Sequence, residues 1–382
     1  MIAPTTAGLD EFLDRQPGHR RLGWLANAGA VERRALRFGP EEALRRGHQV
    51  VRLFAPEHGV HGVAQAGTAV AHGRDPLTGL PVWSLYAAGD GDSNAPEAFE
   101  GIDAVVVDLL DLGARYGTYA ATASRFLECV ARDRPELEVL VLDRPNPLGR
   151  AIEGPLLEPG FESLVGLGPL PIRHGLTLGE VLRWHVRRRR LDVALEVVPA
   201  RGWHPGRVSP PRPFIPPSPN LNVFEAQLLY PGSCLFEGTN LSEGRGTATP
   251  FQLFGAPWLD SGRLLDRLEG EAPGVAFRRI LFRPQSSKHE GEVCEGLFMH
   301  VLDPDGVQPV ALGCLLLAAV FAEFAEAELL MPSRPEGRRF LDLLWGSTEL
   351  GDRLAARRSA PTPEPMAGFH ASIADDLLYA AV

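Results

Sequence analysis

Residues 102–108 read IDAVVVD, an almost unbroken apolar run that ends on a carboxylate. A strand wetted on one face alternates apolar with polar residues. A continuous run marks a strand buried on both faces of a parallel sheet. Residues 138–143 (EVLVLD) repeat the pattern, and 21–27, 48–54, 82–86 and 193–198 are further strand candidates. Helical patterns fall between them at 40–46, 119–132 and 177–188. The last opens on a capping box, with Thr177 as N-cap and Glu180 three residues on. Strands alternating with helices imply an α/β fold, a Rossmann-like, doubly wound, mostly parallel sheet with right-handed crossovers.

The character changes near residue 230. A polar, glycine-rich loop at 238–246 is followed by helical stretches at 259–268, 310–326, 338–345 and 349–358, with strands at 275–283 and 292–302. This reads as a second, smaller α+β unit. A chain of 382 residues also exceeds one ordinary core. The expected division is 1–230 and 231–382.

Formal net charge is -10, which argues against a nucleic-acid binder. The one basic run, Arg187 to Arg190, closes a helical pattern, where cations suit the helix dipole. Cys129, Cys234, Cys294 and Cys314 are scattered without a paired motif, so neither a zinc site nor a disulfide framework is expected. No apolar run reaches bilayer length. The first ten residues lack the basic and apolar regions of a signal peptide, which predicts a cytoplasmic protein without a membrane partner.

Polar residues collect at the strand ends. Glu57 and His58 follow the second strand inside Pro56-Glu57-His58-Gly59. Asp111, Arg115, Tyr116 and Tyr119 follow the 102–108 run. Arg144 and Asn146 follow the 138–143 run, with Glu153 close behind. In open α/β sheets, ligands bind outside the carboxyl ends of the strands. Each residue also has a structural reading. Glu57 and His58 could cap the next segment, Asp111 and Arg115 could form an ion pair, and Arg144 could brace a loop. No glycine-rich dinucleotide fingerprint or P-loop follows any strand. A second concentration runs from Asn220 to the loop that holds Glu237, Asn240, Glu243 and Arg245, where glycines allow close approach to a ligand. Several carboxylates with arginine, asparagine and aromatic residues suit glycoside cleavage, which needs an acid at the leaving oxygen and usually a second carboxylate.

Five stretches carry a family resemblance. They are Pro56-Glu57-His58-Gly59; Asp111 to Tyr119; Asp143-Arg144-Pro145-Asn146-Pro147 with Glu153-Gly154; Pro217-Ser218-Pro219-Asn220; and Glu237 to Thr247. In this order they resemble the NamZ-type exo-β-N-acetylmuramidases. The resemblance implies a Rossmann-like domain and a smaller C-terminal domain with the cleft between them, no metal or other cofactor, and a peptidoglycan-derived sugar as substrate. It makes Glu57 the leading catalytic acid. Glu243 is then expected as second carboxylate, with Glu237 behind it, unless the substrate's own acetamido group attacks. His58 is expected to assist. Asp111, Arg115, Tyr119, Arg144, Asn146, Glu153, Asn220, Glu237, Asn240 and Arg245 are expected to bind substrate, with Arg115 and Arg245 on the lactyl carboxylate. A monomer or homodimer is expected. The other function class is a sugar-binding protein that does not cleave.

Overall fold

The computed structural model describes residues 5–65, 67–87, 96–206, 208, 213–332, 337–361 and 368–379. The first sheet has seven strands: β1 (Arg21–Ala26), β2 (Gln49–Ala55), β3 (Gly73–Arg74), β4 (Pro81–Ser84), β5 (Ala104–Asp108), β6 (Glu138–Leu142) and β7 (Ala194–Val198). Their order is β3-β4-β2-β1-β5-β6-β7. All pairings are parallel except the short edge pair β3 and β4. All five β5 residues are buried, as the continuous apolar run requires. From β1 the chain runs outward through β2 to β4, then returns to the other side of β1 with β5. The carboxyl ends near β1 therefore surround a topological switch point. Asn27 closes it by pairing its side-chain amide with both backbone groups of Leu110.

The second sheet is antiparallel, with β8 (Leu253–Ala256), β9 (Val275–Phe282) and β10 (Cys294–Val301) in the order β8-β10-β9. The pattern shows β9 and β10 but not β8, where Gly255 sits opposite Gly296. A Cβ on Gly296 would lie 1.9 Å from the Phe254 carbonyl. This close approach requires residues that do not read as a strand.

Helix Phe224–Ser233 crosses the buried helix Pro309–Glu323 through Gly232 and Gly313. A side chain on Gly232 would meet the Pro309 carbonyl at 1.8 Å. The last described residues leave this unit. Phe369 and Ile373 join the core of the first sheet, and the Tyr379 hydroxyl donates to Asp143 at 2.7 Å. The first unit thus includes residues from the far end of the expected 231–382 segment. Among the described residues, no helix is long and apolar enough to cross a membrane.

Candidate active site

Strand β2 delivers Glu57 and His58 to the carboxyl edge, and Pro56 stops the strand. His58 has φ 69° and Gly59 φ 77°, so the chain doubles back at once. The His58 Nδ1 lies 2.8 Å from the Ala64 carbonyl. A carbonyl only accepts, so Nδ1 carries the proton and Nε2 is left for the Ser218 hydroxyl at 3.5 Å. The Glu57 carboxylate accepts from the Gly67 N–H at 3.0 Å and from the Thr118 hydroxyl at 2.6 Å. Thr118 opens the 16-residue helix Thr118–Asp133, whose dipole favours negative charge at that end. Tyr119, one residue on, donates to the Pro217 carbonyl at 2.8 Å and holds the 217–220 segment against this wall.

The opposite wall comes from the second unit. Helix Phe224–Ser233 supplies Tyr230, the 3-10 turn Cys234–Gly238 supplies Cys234 and Glu237, and the following loop supplies Glu243 and Arg245. A cavity of about 310 Å³ lies between the walls. Glu57, His58, Thr118 and Tyr119 line one side; Tyr230, Glu237 and Arg245 line the other, with Asn220 between. It joins an outer cleft of about 860 Å³ that shares Asn220, Glu237 and Arg245 and adds Glu243 and Lys288. The Asn220 Nδ2 is buried without a hydrogen-bond partner among the described residues, a donor kept for something in the cavity.

Charges alternate along the second wall. Arg245 reaches Glu237 at 2.9 Å and Glu243 at 3.4 Å, and Lys288 reaches Glu243 at 2.7 Å. Burial pushes the Glu237 carboxyl up; Arg245 opposes this and the neighbouring Glu243 charge adds to it. Arg245 also lies 5.1 Å above the Phe251 ring, which fixes its plane.

Residues 23–225 match the family description "Exo-beta-N-acetylmuramidase NamZ, N-terminal", and residues 228–366 match its C-terminal counterpart. The chain belongs to the NamZ exo-β-N-acetylmuramidase family. It is 40% identical over 278 residues to the peptidoglycan β-N-acetylmuramidase NamZ of Bacillus subtilis (strain 168). That stretch takes in 72% of this chain and 66% of the relative, just under two thirds of its length. Two crystal structures of DUF1343 family proteins from Bacteroides fragilis NCTC 9343 share the fold. One is 30% identical with a TM-score of 0.80 over 92% of each chain. The other is 26% identical with a TM-score of 0.76 over 99% of each.

Within this NamZ framework, Glu57, His58, Tyr119, Asn220, Glu237 and Arg245 come together at the cavity. Glu243 lies on the outer cleft instead, behind Arg245. Six other expected residues do not line the cavity. Arg115 donates to four carbonyls, those of Pro155, Leu170, Leu344 and Trp345. It is an interdomain clamp and is not paired with Asp111. Asp111 lies 3.9 Å from His174. Arg144 is paired with Asp108 in the interior, at 2.6 Å. Asn146 accepts from the Leu148 N–H in its own turn and donates to the Leu176 carbonyl thirty residues on. Glu153 pairs with Arg173 and caps the Pro309–Glu323 helix through the Val310 N–H. Asn240 bonds backbone groups of Glu326 and Glu328.

Thr118, Tyr230 and Lys288 complete the site and were not singled out by sequence reasoning. Lys288 had a visible signal: it is the only lysine among the chain's 38 lysines and arginines.

Proposed function

We propose that this chain is an exo-acting β-N-acetylmuramidase that removes a terminal N-acetylmuramic acid from peptidoglycan fragments. The supporting observation is the small cavity with Glu57 on one wall and Glu237 on the other, open to the outer cleft. Its volume of about 310 Å³ is at the low end for ligand pockets, roughly 300–1,000 Å³. That suits one sugar ring held at a chain end, with the rest of the substrate in the outer cleft.

Glu57 gives its proton to the glycosidic oxygen as the bond breaks, and the Gly67 N–H, the Thr118 hydroxyl and the helix end stabilise the carboxylate that it becomes. Glu237 replaces Glu243 as the second carboxyl, because Glu237 faces the same space and Glu243 does not. It serves as nucleophile or base, or orients a substrate acetamido group that attacks in its place. Arg245 is the remaining arginine for the lactyl carboxylate, since Arg115 is committed to carbonyls. Asn220 offers its unpartnered amide to the sugar.

The test uses two leaving groups. Glu57→Gln is expected to lower turnover of a muramyl-containing disaccharide by on the order of 10²–10⁴, with a much smaller loss on an aryl β-N-acetylmuramide whose phenolate leaves without a proton. Glu237→Gln is expected to lose both. Equal losses on both substrates for Glu57→Gln would remove it as the acid. Tight binding of fragments by the wild type without any release would make the protein a sugar-binding module.

A further inference from the structure

This chain uses arginine almost without exception for its basic positions, and the single lysine is at the site. Lys288 Nζ donates to the Phe236 carbonyl at 2.9 Å and the Thr239 carbonyl at 3.0 Å, and is ion-paired with Glu243 Oε2 at 2.7 Å. An ammonium carries three N–H donors on a compact centre and can serve three converging acceptors. A planar guanidinium cannot do so from the same place. The acceptors are also particular. Phe236 precedes Glu237, and Thr239 follows two residues later. The third, Glu243, is ion-paired with the Arg245 that donates to Glu237. Lys288 therefore reaches Glu237 by two routes, through the backbone on both sides of it and through the Glu243–Arg245 chain.

The loop that presents Lys288 is built for this. Ser287 and His289, on either side, both take left-handed backbone, with φ 72° and 57°. Such conformations cost of order 1 kcal/mol or more for non-glycine residues and persist where surrounding contacts enforce them. Here the contacts are visible. His289 Nε2 meets the Asn240 carbonyl at 2.7 Å, and the Gln285 N–H donates to Gly246 at 2.9 Å. The 285–289 loop is thus sewn onto the loop that bears Glu243 and Arg245.

We infer that Lys288 is a positioning residue for the reaction, holding Glu237 and Arg245 at the working geometry of the cavity, and that this task requires an ammonium group. The inference rests on the proposed muramidase reading for its kinetic test but not for its spectroscopic one. In the kinetic test, Lys288→Met and Lys288→Arg are compared with wild type on an aryl β-N-acetylmuramide, with thermal unfolding measured alongside. Lys288→Met is expected to lower kcat by on the order of 10²-fold, the loss typical of a catalytic group displaced by about an ångström, with a smaller change in KM. Lys288→Arg is expected to recover less than a tenth of the lost rate. Wild-type kcat in folded Lys288→Met, or full rescue by arginine, would overturn the inference.

The spectroscopic test needs no turnover and no variant at Lys288. Protein grown on nitrogen-15 lysine has one side-chain ammonium signal, which assigns itself. With two donors on carbonyls and the Glu243 carboxylate ion-paired beside them, its protons are expected to be protected from solvent exchange at neutral pH and to lose protection in Glu243→Gln. An unprotected signal in wild type, or one indifferent to Glu243→Gln, would refute the geometry. Failure of wild type to release any sugar, with the protected signal intact, would count against the muramidase reading and leave the placement of Lys288 standing.

Discussion

At the scale of single residues, identity and role separate where the backbone competes for a side chain. Arg115 and Asn240 stand in sequence stretches that look like ligand-binding motifs, yet their donors go to carbonyls. A sequence shows that an arginine is present, not which acceptors the fold leaves open for it. Glu57 was legible because a strand end, a proline and a glycine turn fix where it points. The buried Asp111 and His174 pair gives a prediction at this scale. Burial pushes Asp111 up to about 6 and His174 down to about 3. Unfolded values are near 3.9 and 6.5. Between about pH 4 and 6 only the unfolded Asp111 ionises, so its contribution to stability falls as pH rises. Between about pH 3 and 6.5 only the unfolded His174 binds a proton, so its contribution rises with pH. The two oppose each other in wild type. Asp111→Asn is expected to leave a stability that rises with pH more steeply than wild type, and His174→Gln one that falls more steeply. The differences should be on the order of 2 kcal/mol, read by urea unfolding from pH 4 to 7. Parallel curves for the three proteins would contradict the shifts.

At the scale of elements, the parallel strands were legible because a short, continuous apolar run bounded by turn residues fits a strand covered on both faces and little else. The short β8 was not, because paired glycines at a close backbone approach carry no strand pattern. The join between the two units was also hidden. Helix Phe340–Trp345 ends at Gly346, with φ 94°, and its last carbonyls are taken by Arg115 of the first unit. A cation at a helix carboxyl end is favourable, and burial lowers Arg115 only to about 10, so it stays charged. Removing it would leave several buried carbonyls unserved. Arg115→Met is expected to cost on the order of 3 kcal/mol, seen as a lower urea midpoint. An unchanged midpoint would show that the clamp is dispensable.

At the scale of the whole molecule, the cavity exists because two cores are held face to face. One wall comes from the parallel sheet and the other from the second unit, and neither has both carboxyls. The chain then returns to the first sheet through residues 368–379, a connection that no local pattern announces. Ending the chain after residue 361 is expected to expose the pocket vacated by Phe369 and Ile373 and to remove the Tyr379 bond to Asp143. Faster hydrogen exchange in β6 and β7 would report it, while unchanged exchange would show that the segment only decorates the surface. The central claim is that one terminal sugar enters the cavity between Glu57 and Glu237 and is cut from what lies in the outer cleft. It is tested most directly with two disaccharides of opposite order, N-acetylmuramyl-β-1,4-N-acetylglucosamine and N-acetylglucosaminyl-β-1,4-N-acetylmuramic acid, with products read by mass spectrometry. The account predicts that the first is split into its two sugars and the second is left whole. Cleavage of the second, or of neither, would contradict it.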